Sequence, residues 1–137
     1  MKHILKFIKL PVKERMLLLE AIFFLFYSKF LLFFPFRYCI KKFKKKEQLG
    51  VNPTQDILTA VSIAVARANR VAFWKNVCLV KSFAARFMLE RRNIVSTIYL
   101  GLQFKDGKEM VAHAWLISHE AYITPKGIIN YMEIYNF

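Results

Sequence analysis

The stretch NVCLVKSFAARFMLERRNIVSTIYLGLQ, residues 76–103, changes character at its middle, and that change decides the fold. From Leu79 to Arg92 the apolar Leu79, Phe83, Phe87 and Met88, with the small Ala84 and Ala85, fall at helical spacing, so a helix is expected there. Arg91-Arg92 suits the negative end of its dipole, and Asn93 suits the exit. From Ile94 onward Val95, Thr97, Ile98, Tyr99 and Leu100 are strand formers. Lys105-Asp106-Gly107-Lys108 reads as a hairpin turn and Met110–Ser118 as the returning strand. A third strand, Ala121–Thr124, follows a His119-Glu120 turn.

Upstream, Gly50 to Thr54 reads GVNPT, a turn that opens a new element with Thr54 or Asn52 as its cap. Ile57, Leu58, Val61, Ala64, Val65, Ala68 and Val71 then mark an amphipathic helix over roughly 54–72, with Arg67 and Arg70 off that face. A short connection, Ala72 to Val77, carries Trp74. The order is helix, helix, then antiparallel strands, an α+β arrangement in which the start of a helix can meet the face of a sheet.

Two residues give that meeting point a chemistry. Cys78 falls where the connection becomes the second of these helices, and His113 lies in AHAW, Ala112–Trp115, inside the returning strand. A thiol at a helix N-terminus faces free backbone N–H groups and the positive end of the dipole, and a nearby imidazole can take its proton. This is the layout of a cysteine nucleophile with its base. The Cys78 backbone N–H is one candidate donor to a developing oxyanion, with a second expected from near Trp74. Trp74 and Trp115 read as core or as walls of a substrate pocket.

The N-terminal third has another character. Residues 16–34, MLLLEAIFFLFYSKFLLFF, form the longest apolar run, between Lys13-Glu14-Arg15 and Pro35. It is nearly long enough to span a bilayer. Glu20 and Lys29 oppose insertion at about 2.5–3.5 kcal/mol each near mid-bilayer, which leaves spanning marginal. Lys13, Glu20 and Tyr27 recur every seven residues, a narrow polar stripe on a helix otherwise coated with Leu and Phe. The segment reads as a helix packed on the domain or lying at a membrane surface, followed by the basic cluster Lys41-Lys42-Phe43-Lys44-Lys45-Lys46. Its length, its basic flanks and the lack of a small-residue cleavage site argue against a secretory signal peptide.

Composition bounds the rest. The chain of 137 residues has a net charge of +13, and residues 1–50 carry twelve Lys or Arg against three acids while residues 51–137 carry ten against six. Residues 1–50 are therefore set apart as an apolar and basic segment for membrane-surface or partner docking, and residues 51–137 as the functional domain. A basic balance favours anionic partners. Nucleic acid is disfavoured because the charges sit beside an apolar helix rather than interleaving with aromatics on a sheet. Cys39 and Cys78 make no disulfide framework, so a reducing, cytoplasmic setting is expected, peripheral to the inner membrane if the N-terminal segment docks there. The sequence has no Gly-rich phosphate loop, glycosidase-type carboxylate pair or clustered metal ligands, and no cofactor is expected.

Helix, cysteine-bearing helix and histidine-bearing strand together resemble the core of papain-like and transglutaminase-like cysteine enzymes. More narrowly, Cys78-Leu79, Arg91-Arg92, Leu100-Gly101 and Ala112-His113-Ala114-Trp115 resemble the transglutaminase-like domain of the leader peptidases of lasso-peptide biosynthesis, over about residues 57–137. Leu17–Ala21 and Pro35-Phe36 are similar to that family's upstream segment. The resemblance implies that Cys78 attacks the scissile carbonyl of a ribosomally made precursor's leader, with His113 as general base and then acid. It also implies a PqqD-like leader-binding protein and an asparagine-synthetase-like cyclase as partners. Members commonly place an acid about twelve residues after the histidine, where this chain has Thr124-Pro125-Lys126. Asn130 is then the candidate to orient His113, since Asn fills this role in papain-like enzymes, with Glu120, Glu133 or a backbone carbonyl as alternatives. An acyltransferase using the same pair, or an inactive peptide-binding module, is the alternative reading.

Overall fold

The computed structural model describes residues 5, 8–35, 37, 38, 41, 54–71, 78–105, 109–125 and 132–136. Among the described residues three helices and four strands are delimited: α1 (Val12–Leu31), α2 (Gln55–Val71), α3 (Cys78–Glu90), β1 (Thr97–Lys105), β2 (Glu109–Ser118), β3 (Ala121–Thr124) and β4 (Met132–Asn136). The strands form one antiparallel sheet in the order β3-β2-β1-β4. The α+β expectation holds, and β4 is an addition to it.

Several of these boundaries have a local cause. Thr54 caps α2 as expected, its Oγ1 accepting the Ile57 N–H at 3.4 Å. Helix α3 ends in a left-handed Asn93, φ 57, with the Ile94 N–H bonded to Leu89 O and the Asn93 N–H to Glu90 O. Those paired bonds across a left-handed residue are a Schellman closure, which asparagine tolerates better than most residues. Arg92 donates to the orphan carbonyl of Met88 at 2.7 Å. The β2–β3 hairpin turns on His119 and Glu120, both at positive φ, the geometry that a tight two-residue loop requires.

Burial follows the layering. Helix α3 is enclosed nearly all round, with Val80, Phe83, Ala84, Ala85, Met88 and Leu89 buried, because α1 covers one side and the sheet the other. Leu18, Ala21 and Leu25 of α1 join Leu58, Val61 and Val65 of α2 and Ile98 and Leu116 of the sheet in one core. Phe24 stacks on Phe87 with ring centroids 5.5 Å apart, and Tyr27 meets Phe87 edge to face at 5.3 Å.

Residues 1–50 therefore contribute a helix to the same core as the following elements. Glu20, on the polar stripe of α1, reaches Arg92 at 2.8 and 2.9 Å and Arg91 at 3.0 Å. Burial acts to raise the Glu20 carboxyl, but hydrogen bonds and charge from Arg92, with Arg91 behind them, outweigh it and hold it below the usual carboxylate range. Among the described residues no helix is long and apolar enough to cross a membrane.

Candidate active site

Helix α3 begins at Cys78, and its thiol is half-buried. The first residues of a helix have no intrahelical acceptor for their N–H groups, so the helix presents the positive end of its dipole at the sulfur. A second dipole arrives from the sheet: the Ala114 N–H is donated to Cys78 Sγ at 3.3 Å.

The length of β3 explains this contact. Alternate N–H groups along β2 point toward β3, and the one at Leu116 is taken by the Thr124 side chain at 2.8 Å. Thr124 is the last residue of β3. Two residues back along β2, the Ala114 N–H points the same way past the end of β3, and the cysteine sulfur fills the place of the missing ladder partner. Sγ thus lies at the open edge of the sheet, against the residue that follows His113.

His113 is on β2 and half-buried. Its Nε2 meets the carbonyl oxygen of Pro125 at 2.8 Å. A carbonyl can only accept, so Nε2 carries the hydrogen and the neutral ring holds its lone pair on Nδ1. The fixing group is therefore a backbone oxygen twelve residues on. Glu120 sits in the β2–β3 turn, at the other end of β2, about 17 Å from His113 at the usual strand rise, too far to orient the imidazole. Glu133 stands on β4 opposite Gly101 and accepts a bond from Asn136 at 2.7 Å. Asn130 and Trp74 lie outside the described residues.

The sheet face around His113 is shaped by its neighbours. Ile98, Leu100 and Leu116 pack toward the helices, so the period of two sends Tyr99, Gly101, His113 and Trp115 to the opposite face. Trp115 is buried and lies between the Tyr99 ring, 5.9 Å away, and the His113 ring, 6.0 Å away, all nearly parallel. Across β1 from His113 stands Gly101, which puts no side chain beside the imidazole. Trp115 is thus a wall on one side of His113.

A buried polar brace registers α3 against the β2–β3 edge. Ser82, one turn after Cys78, shares a hydrogen bond with Thr124 at 2.9 Å, and the same Thr124 oxygen holds Leu116 N. Ser62 of α2 donates to Ile123 O at 2.7 Å and ties β3 down from its other side. The element carrying the thiol and the one carrying Pro125 are therefore joined directly through two hydroxyls. Neither hydroxyl carries a sequence signal, since isolated Ser and Thr on a helix and a strand are ordinary.

The half-buried thiol at the start of α3 is bonded to the backbone of the residue that follows His113, and the histidine ring is bonded to Pro125 O, within a small α+β domain. A family model of the transglutaminase-like superfamily matches residues 29–135, and the chain belongs to that superfamily, which includes cysteine proteases. The match begins in the last turn of α1 and covers the elements that follow it. No curated protein and no solved structure matches the chain.

Proposed function

We propose that this protein is a cysteine peptidase that removes the leader from a ribosomally synthesised, lasso-type precursor peptide. Cys78 is the nucleophile. His113 takes the thiol proton on Nδ1 as the sulfur adds to the scissile carbonyl, then returns it to the leaving amine, which leaves a thioester on Cys78. Water, deprotonated by the same imidazole, hydrolyses the thioester and frees the acid product. The observation that carries this reading is the Ala114 N–H bond to Cys78 Sγ, beside a histidine fixed by Pro125 O. The choice of a lasso precursor rests on the sequence resemblance around Cys78 and AHAW. A PqqD-like protein would present the leader, and an asparagine-synthetase-like cyclase would use the freed N-terminus.

The test is leader cleavage followed by mass spectrometry, with precursor, the PqqD-like partner and the full chain. Cys78→Ala is expected to abolish cleavage and His113→Ala to lower it by about 10²–10⁴-fold, both while retaining the fold. Full trimming by either variant would remove that residue from the mechanism. The same thioester could pass to an amine in place of water, and the product mass separates hydrolysis from acyl transfer.

A further inference from the structure

Helix α1 has two apolar faces, and the core uses one of them. Val12, Met16, Leu19, Phe23, Phe26 and Phe30 are each more than half exposed, and Phe33 just beyond the helix is 83 % exposed. They follow one another at alternating spacings of four and three residues, which sets them in a single line. That line lies opposite the buried Leu18, Ala21 and Leu25. At 1.5 Å per residue it runs for about 27 Å. Leu and Phe in such a row are not what a solvated face carries, and a contiguous exposed patch of this kind marks an interaction surface.

The charges around the line say what covers it. Both acids of α1 are turned to cations of the neighbouring elements, Glu14 to Arg67 at 3.2 Å and Glu20 to Arg91 and Arg92. Lys13 and Arg15 flank the line on its two sides at the N-terminal end, and Lys29 lies beside it near the other. Beyond the helix Arg37 and Lys41 are exposed, and the sequence continues as the lysine cluster through Lys46. A second copy of the chain laid on this line, in either direction, would set cations against cations. An anionic lipid surface complements both the apolar row and its basic borders, the pairing used by helices that lie in a membrane interface.

We propose that the exposed face of α1 docks on an anionic phospholipid bilayer, with the helix parallel to the surface and its phenylalanines at the boundary of headgroups and acyl chains. The contact is surface-bound, since no described helix is long and apolar enough to cross. It stands independently of the peptidase reading, because none of its residues belongs to the Cys78 site.

The test is co-sedimentation of the full chain with vesicles of phosphatidylcholine alone and of equimolar phosphatidylcholine and phosphatidylglycerol. Binding to the anionic vesicles is expected to exceed binding to neutral ones by about tenfold or more and to weaken as salt is raised. Phe23→Ser, Phe26→Ser and Phe30→Ser combined should reduce it by about tenfold or more, as should Lys13→Gln with Arg15→Gln. A thermal melt checks the fold, and Val12→Gln with Met16→Gln is the replacement if the triple variant unfolds. Equal binding by wild type and variants, or no binding to anionic vesicles at low salt, overturns the proposal. A dimer in light scattering that the same substitutions disperse also overturns it, because a second copy then covers the face.

Discussion

The imidazole Nε2 of His113 is bonded at 2.8 Å to the carbonyl oxygen of Pro125, twelve residues along the chain. The lasso-family resemblance leads one to expect a carboxylate at that distance, and the backbone occupies the position in its place. A carbonyl fixes the tautomer as a carboxylate would, but it brings no charge to stabilise an imidazolium. Its placement depends on Thr124, the preceding residue, which is held by Ser82 and Leu116. The histidine's orientation and the thiol's position are therefore set through one buried knot of hydrogen bonds.

The tautomer can be read directly. Long-range nitrogen–proton correlation spectra of the neutral His113 ring are expected to show the proton on Nε2 and the lone pair on Nδ1. A spectrum with the proton on Nδ1 would mean that Pro125 O does not hold the ring in solution.

Reactivity of the thiol depends on the same pair. In a Cys39→Ser background, which leaves Cys78 as the single cysteine, iodoacetamide at neutral pH should label the native protein, and His113→Ala should slow that labelling. The same substitution is expected to lower peptide cleavage by about 10²–10⁴-fold, the usual worth of a positioned acid–base group. Unchanged labelling in the variant would show that the imidazole does not act on the sulfur.

Thr124→Val tests the brace. It removes an oxygen that serves two buried partners, Leu116 N and Ser82 Oγ, at about 1–3 kcal/mol for each group left unsatisfied. Urea unfolding should show that loss, and cleavage should fall as Cys78 and Pro125 lose their common anchor. Thr124→Ser, which keeps the hydroxyl, should recover most of both. Wild-type stability in the Val variant would leave the brace without an energetic role.

Local signals made much of this architecture legible. Thr54, Asn93 and the His119-Glu120 turn act through their own neighbours in sequence, and each does what its residue type suggests. The strand β4 escaped notice because all five of its residues are exposed at a sheet edge, where no buried face imposes an alternating pattern. A backbone carbonyl was open as the group that orients His113, but that Pro125 supplies it was not legible, because every residue carries one. Ser82 and Thr124 meet only once the chain has folded, forty-two residues apart. Glu20 and Arg92 were each legible singly, one as a charge opposing insertion and one as a cation at a helix end. Their pairing across seventy-two residues was not.

That pair makes stability depend on pH. The Glu20 carboxyl, only 11 % exposed, is held below its ordinary range by Arg92 and Arg91 despite burial. A carboxyl depressed in the folded state contributes stability that is complete above its unfolded value, about 4.3, and is lost as pH falls through the lower folded value. The protein should therefore lose stability in acid below about pH 4.3. Glu20→Gln should cost about 1.5–3 kcal/mol at pH 7, the range for a hydrogen bond to a charged group, nearly all through Arg92 because Arg91 is largely exposed. As pH falls, the wild type loses its advantage and the two unfolding curves should draw together. Urea titrations at pH 7 and pH 3 measure both gaps, and a gap of the same size at the two pH values would show that Glu20 is not the group whose protonation weakens the junction of α1 with the end of α3.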